Sequence, residues 1–198
     1  MRLETERLIL RSFTDADRAP MAAIDADPQV MRFYPETRSR AQTDAMIDSI
    51  QAAEARDGFS FLAAELRQTG AFVGLIGMAR IGEPLISVLN GRPEVEIGWR
   101  FGADFWGRGL APEGAQACLE YAWTELQLDE VVAFTFEGNW PSRRVMEKLG
   151  MVRDPADDFR HTNLPENHPI SRHVLYRIER PELPDHEYDM PFSPAAPR

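Results

Sequence analysis

The chain has 198 residues, with 22 Lys+Arg against 32 Asp+Glu, for a formal net charge of −10. That length suits one domain, and 43% hydrophobic residues supply a core, which excludes disorder throughout. No apolar run approaches the ~20 residues of a membrane span, and the acidic balance argues against general nucleic-acid binding. Cys118 is the sole cysteine, so an internal disulfide and a multi-Cys metal site are excluded. The charged start, Met1-Arg2-Leu3-Glu4-Thr5-Glu6, predicts no signal peptide, and the expected setting is the cytoplasm.

Arg7–Arg11 reads as the first strand. Thr14 and Asp17 form a weak capping box, and a helix follows to about Ile24. Asp27–Met31 resembles a second, short helix start. Met46, Ile47, Ile50 and Ala53 recur at helical spacing, with Gly58 placed to end that helix. Phe59–Leu66 and Ala71–Arg80 are strands around a Gln68-Thr69-Gly70 turn, and 81–93 is a loop. Glu94–Arg100 alternates, with Val95, Ile97 and Trp99 on one face and Glu94, Glu96, Gly98 and Arg100 on the other. A glycine-rich turn leads to a helix from about Pro112, whose apolar stripe contains Cys118 as a core residue. Val131–Phe136 is a strand, Pro141–Leu149 a helix stopped at Gly150, and His173–Ile178 the last strand. Residues 1–180 are expected to form one domain, and the Pro-rich, acidic residues 181–198 a tail. Hairpin and βαβ arrangements together predict an α+β fold with a mixed sheet.

The informative turn is Phe105-Trp106-Gly107-Arg108-Gly109-Leu110-Ala111-Pro112-Glu113-Gly114. Small residues before a helix let successive N–H groups converge on an anion, aided by the helix dipole. A P-loop is excluded because no Gly-Lys-Ser/Thr follows. A dinucleotide turn fails at Pro112. A coenzyme A pyrophosphate loop and a plain tight turn both stay open. The segment from Asn139 to Met151 follows a strand, with Asn139 placed as N-cap and Ser142 in the first helical turn.

Taken together, these pieces resemble the GCN5-related N-acetyltransferase (GNAT) superfamily, in the branch that includes the ribosomal-protein N-terminal acetyltransferases RimJ and RimL. The matching pieces are Glu4–Arg11, Val73–Gly77, Glu96–Trp99, Trp106–Glu113 and Asn139–Ser142, leading to Glu147–Met151. The resemblance implies a central mixed, mostly antiparallel sheet flanked by helices. It also implies acetyl-CoA as donor and a primary amine as acceptor, whether a small molecule or a peptide N-terminus. By this likeness Trp99, Trp106, Gly107, Arg108, Gly109, Leu110, Ala111, Asn139 and Ser142 bind the cofactor. Many members place a tyrosine acid where this chain has Met146; in the RimJ/RimL branch the Ser of Asn-x-x-Ser, here Ser142, is thought to serve instead.

An amine with pKa ~8–10 must lose a proton before attack, and Glu96 is the candidate base, with Glu94 weaker. The competing role for Glu96 is an ion pair with an arginine across the sheet. His161, His168 and His173 lack metal-ligand spacing, so no metal is expected; they fall near the acceptor entrance or in plain loop packing. A non-catalytic acyl-CoA-binding module and a nucleotide-dependent oxidoreductase are the other function classes. No membrane or nucleic-acid partner is expected, and the chain is a monomer or homodimer.

Overall fold

A computed structural model describes residues 1–91 and 93–182; from residue 183 on, the expected tail lies outside the described residues. The strands are β1 (Arg2–Glu4), β2 (Leu8–Arg11), β3 (Phe61–Leu66), β4 (Phe72–Arg80), β5 (Val95–Phe101), β6 (Glu130–Phe136), β7 (Val152–Arg153), β8 (Phe159–Arg160) and β9 (Arg172–Glu179). The α-helices are α1 (Arg18–Ala26), α2 (Arg40–Asp57), α3 (Leu110–Thr124) and α4 (Trp140–Lys148). One sheet joins the strands in the order β1-β2-β3-β4-β5-β6-β9-β7, with β8 also on β9. Among the described residues only β5 and β6 run parallel; every other pair is antiparallel. The expected α+β architecture is therefore present.

Alternation along the strands sends the two faces to different partners. Leu8, Leu62, Ile76, Ile97, Val131 and Ala133 turn to the α3 side, where Ala115, Cys118, Leu119 and Ala122 form the buried stripe. Burial pushes the Cys118 thiol up to about 12, so it is an inert core residue, as its place in the stripe suggested. The opposite face carries two smaller clusters. One, with Phe13, Met21, Ile47, Ile50, Ala63 and Leu75, seats α1 and α2. The other, with Ile81, Leu89, Val132, Phe159 and Leu175, lies under the 81–91 and 154–170 loops.

Several boundaries differ from the sequence reading. Asp27–Met31 does not begin a helix; a single 3-10 turn forms at Met31–Phe33 instead. α1 starts at Arg18, after a 3-10 turn at Asp15–Asp17 in which the Asp17 carboxylate accepts from the Thr14 N–H and hydroxyl. α3 begins two residues early, at Leu110, because Pro112 then falls where its missing N–H costs no helical bond. The unpredicted strands β1, β7 and β8 are two or three residues long, too short for alternation to register.

Gly77 adopts φ +154°, and a Cβ there would meet Ser60 O and Phe61 Cα at 2.7 Å. Both are backbone atoms of the approach to β3, so neither yields cheaply. Gly77→Ala is expected to cost about 3 kcal/mol, read as a fall in the urea midpoint with an unchanged slope.

Candidate active site

The site begins with an opening in the sheet. β5 and β6 pair only at Glu96 and Val132. Beyond that point the facing edges of Ile97–Phe101 and Ala133–Phe136 share no ladder. Backbone groups without a partner are costly to cover, so this edge is suited to an extended, amide-bearing ligand. Trp99 lies on this stretch with its side chain packed against the α3 core, leaving only its backbone for the opening.

At the end of β5, the Trp106 indole Nε1 donates to Phe101 O at 2.9 Å, anchoring the turn to the strand it follows. Gly107 and Gly109 take φ of +70° and +75°, the left-handed region that other residues populate with difficulty. This winding directs backbone donors outward just before α3. Among the described residues, the N–H groups of Gly107, Arg108, Gly109, Leu110 and Ala111 donate to nothing; the first helical bond is Glu113 N–H to Gly109 O. Five successive free donors at a helix start form an anion-binding concavity. Leu110 contributes backbone alone, since its side chain is in the core. Arg108 is exposed at the rim.

The carbonyls of this loop are tied down from behind. Arg7 donates to Arg108 O through Nη1 at 2.7 Å and to Gly109 O through Nη2 at 3.3 Å. Its Nε binds Glu113 Oε2 at 2.6 Å, while Glu113 Oε1 accepts from Arg7 N–H and from the Thr5 hydroxyl. Burial works against the Glu113 charge, but the Thr5 and Arg7 donors outweigh it and hold the carboxyl below its usual range. With both carbonyls engaged, the loop's N–H groups face the other way. Residue-by-residue reading missed this clamp; its signal was the Glu4–Arg11 segment, matched to the family without a role.

Asn139 caps α4: its side-chain carbonyl accepts from Ser142 N–H at 3.3 Å, and its amide donates to Thr135 Oγ1 at 2.9 Å. Both ends of the side chain are therefore in use, and the capping role is the one observed. The Ser142 hydroxyl has no partner among the described residues and is half-buried. Met146 is buried in the core, 2% exposed. Tyr176 of β9 is buried on the same face, but its hydroxyl is engaged by Arg143 Nε at 3.2 Å and Glu147 at 3.1 Å.

On the α1–α2 face, β5 presents Glu96, Gly98 and Arg100. Glu96 has no ion pair or hydrogen bond among the described residues, so the expected alternative of an arginine partner is not seen. Burial alone pushes its pKa up to about 7. Gly98 leaves room for the Phe61 ring, whose Cε1 lies 3.2 Å from where a Cβ would stand. Segment 31–34 crosses this end of the opening: Tyr34 stacks on Arg100, Phe33 packs on Phe136 of β6, and Arg32 sits over Trp106 at 4.8 Å. Sequence periodicity missed it because its side chains follow neither helical nor strand spacing.

His161 and His173 lie 4.9 Å apart beside Phe159. Burial lowers both, His173 to about 4, so both rings are neutral at neutral pH. His168 accepts from Ile170 N–H at 3.4 Å in its own loop. No group of three metal-ligating side chains is present among the described residues. Nor is any helix there long and apolar enough to cross a membrane.

The chain is similar to known proteins along most of its length. The acetyltransferase (GNAT) domain family matches residues 7–152. An uncharacterized protein of Bacillus subtilis, YkkB, is 34% identical over 151 residues, covering 76% of this chain and 84% of that protein. An uncharacterized N-acetyltransferase of the same organism, YnaD, is 29% identical over 154 residues, covering 78% and 84%. Among solved structures, an acetyltransferase from Agrobacterium tumefaciens superposes with a TM-score of 0.73 at 28% identity, covering 91% of this chain and 95% of that one. The glycine turn, the divided strands and the family match agree, and the chain belongs to the GNAT acetyltransferases, enzymes that use acetyl-CoA.

Proposed function

We propose that this enzyme moves the acetyl group of acetyl-CoA to a primary amine by direct attack within a ternary complex. The observation that carries the reading is the row of five free N–H groups from Gly107 to Ala111, set beside the unpaired edges of β5 and β6. The loop holds the pyrophosphate, with Arg108 and Trp106 at its rim. The pantetheine arm lies along Ile97–Phe101 in place of a strand, and a free N–H at Trp99 polarises the thioester carbonyl. The chemistry then needs a base, an oriented amine and an exit for the thiolate.

Glu96 takes the proton of the incoming amine, directly or through one water. The neutral nitrogen attacks the thioester carbon, the C–N bond forms, and the C–S bond breaks with the electron pair leaving on sulfur, which takes up the second proton released by the nitrogen. Ser142 donates to that sulfur, while Asn139 holds the helix start that presents it. The Asn-x-x-Ser pattern with Met146 in the usual tyrosine position favours the RimJ/RimL-like branch, and a peptide N-terminus is among the acceptors this branch supports. The single buried thiol fits a reducing, cytoplasmic setting. A module that only bound acyl-CoA would have no use for an unpaired, half-buried carboxylate or a free hydroxyl at the opening.

Three outcomes follow from these roles. A base must be ionised, so kcat/KM should rise as pH passes about 7, the value burial gives Glu96. Glu96→Gln should flatten that limb and lower kcat about a hundredfold. The raised pKa also means that ionised Glu96 costs stability as pH climbs from its ordinary value through about 7. The Gln variant should thus melt higher than the parent at pH 8 and match it below pH ~4.5. An unchanged pH–rate profile in Glu96→Gln removes it as the base.

Ser142→Ala is expected to lower kcat about tenfold with little change in KM for acetyl-CoA, as steady-state kinetics would show. Arg7→Gln should act on the other constant, raising KM for acetyl-CoA about tenfold while kcat holds. Calorimetry should report the same loss of coenzyme A affinity; equal affinities in parent and variant would separate the clamp from donor binding.

A further inference from the structure

Four residues along β5 from Glu96, on the same face, sits a largely buried guanidinium. The Arg100 side chain is 9% exposed and its Nη1 binds Asp25 Oδ1 at 2.6 Å. Asp25, fully buried in α1, also accepts from the Thr43 hydroxyl at 2.9 Å. Arg38 brings another guanidinium to the same carboxylate, at 3.8 Å, with its side chain 32% exposed. Its other close contact is Met46 Sδ at 2.7 Å, and a thioether accepts weakly. Two cations therefore share one anion. Arg100 Nε is buried with no hydrogen-bond partner. A buried donor left without a partner is rare enough to require a cause.

The electrostatics agree with the geometry. Burial first, then the neighbouring Arg100 charge, depress the Arg38 pKa, and Asp25 and Tyr34 offset only part of this. Arg100 is opposed by burial, but Tyr34 and Asp25 raise it beyond its ordinary value. The cluster as a whole keeps one positive charge in excess, partly shielded from water. Such a charge is stabilised by an anion arriving from solvent, and Arg38 is open enough to meet it.

The placement gives that anion a meaning. Glu96 lies where the β5–β6 opening begins, and Arg100 lies near its far end, under Tyr34. Between them Gly98 adds no side chain. The floor thus runs from a site that receives an amine to a site that receives a negative charge. Resting on the acetyl-transfer reading above, we infer that the acceptor is an amine that also bears a carboxylate, of the amino-acid class, and that Arg38 binds this carboxylate, with the buried Arg100 charge behind it adding to the attraction. A guanidinium reads a planar carboxylate through parallel N–H donors, which a neutral amide cannot match.

The test is a panel of free amino acids set against the matching amino-acid amides, with coenzyme A release as the readout. The parent enzyme should favour the free acids by about tenfold or more in kcat/KM. Arg38→Gln should bring that ratio to near one, and Arg38→Lys should restore part of it. Arg38 is the residue to change because Asp25 keeps its short bond to Arg100, so the fold is retained, which circular dichroism checks. Equal use of acids and amides overturns the inference, as does transfer confined to polyamines or peptide amides, or a preference that survives in Arg38→Gln. A thermal shift by acetyl-CoA is measured alongside. With that shift present and no carboxylate preference, this inference alone falls; with no shift, the acetyl-transfer reading falls and takes this inference with it.

Discussion

The point on which the rest depends is the lone parallel contact between Glu96 and Val132. A fully zipped pair there would satisfy every backbone group and close the sheet. Pairing at one position joins the two halves of the sheet while leaving two unpaired edges beyond it. The features proposed to act in the reaction are arranged around that gap. The donor loop starts where β5 ends, α4 starts where β6 ends, and the candidate base stands at the point of divergence.

The gap is held open by packing on both faces. On one side α3 rests on a continuous apolar core, which fixes its first turn against the end of β5. On the other, two separate clusters flank β5 and cover little of it. That separation leaves Glu96, Gly98 and Arg100 as the floor between aromatic walls. The same lack of apolar cover explains why polar and charged side chains are concentrated there. They are stabilised by one another only in part, and the unbalanced remainder points to a ligand.

The proposed donor and acceptor sides are also linked. Segment 31–34 touches Trp106 through Arg32, β6 through Phe33 and Arg100 through Tyr34. A shift of this segment would be felt at both proposed substrate sites, so binding there is expected to be coupled through it. On the far side, Arg7 and Glu113 join the first strand region to the start of α3, more than 100 residues away in the chain. The loop is therefore supported by a charged network as well as by the short-range bond from Trp106 to Phe101 O.

Much of this was legible in the sequence, and for local reasons. Alternation marked β5, helical spacing marked α2 and α3, and Gly107, Gly109 and Pro112 marked a turn that only a few backbone conformations satisfy. The buried state of Cys118 followed from its position in an apolar stripe. What the sequence could not decide was pairing at a distance. Whether Glu96 would meet an arginine or stand alone depended on where β6 and the arginines came to rest. Arg7, Arg38 and Arg100 are three among 22 basic residues, and nothing local distinguishes them. Only the tertiary structure turned one toward a loop's carbonyls and the other two toward a single aspartate, because charge pairing depends on distance in space and burial, neither of which is a property of a short stretch of chain.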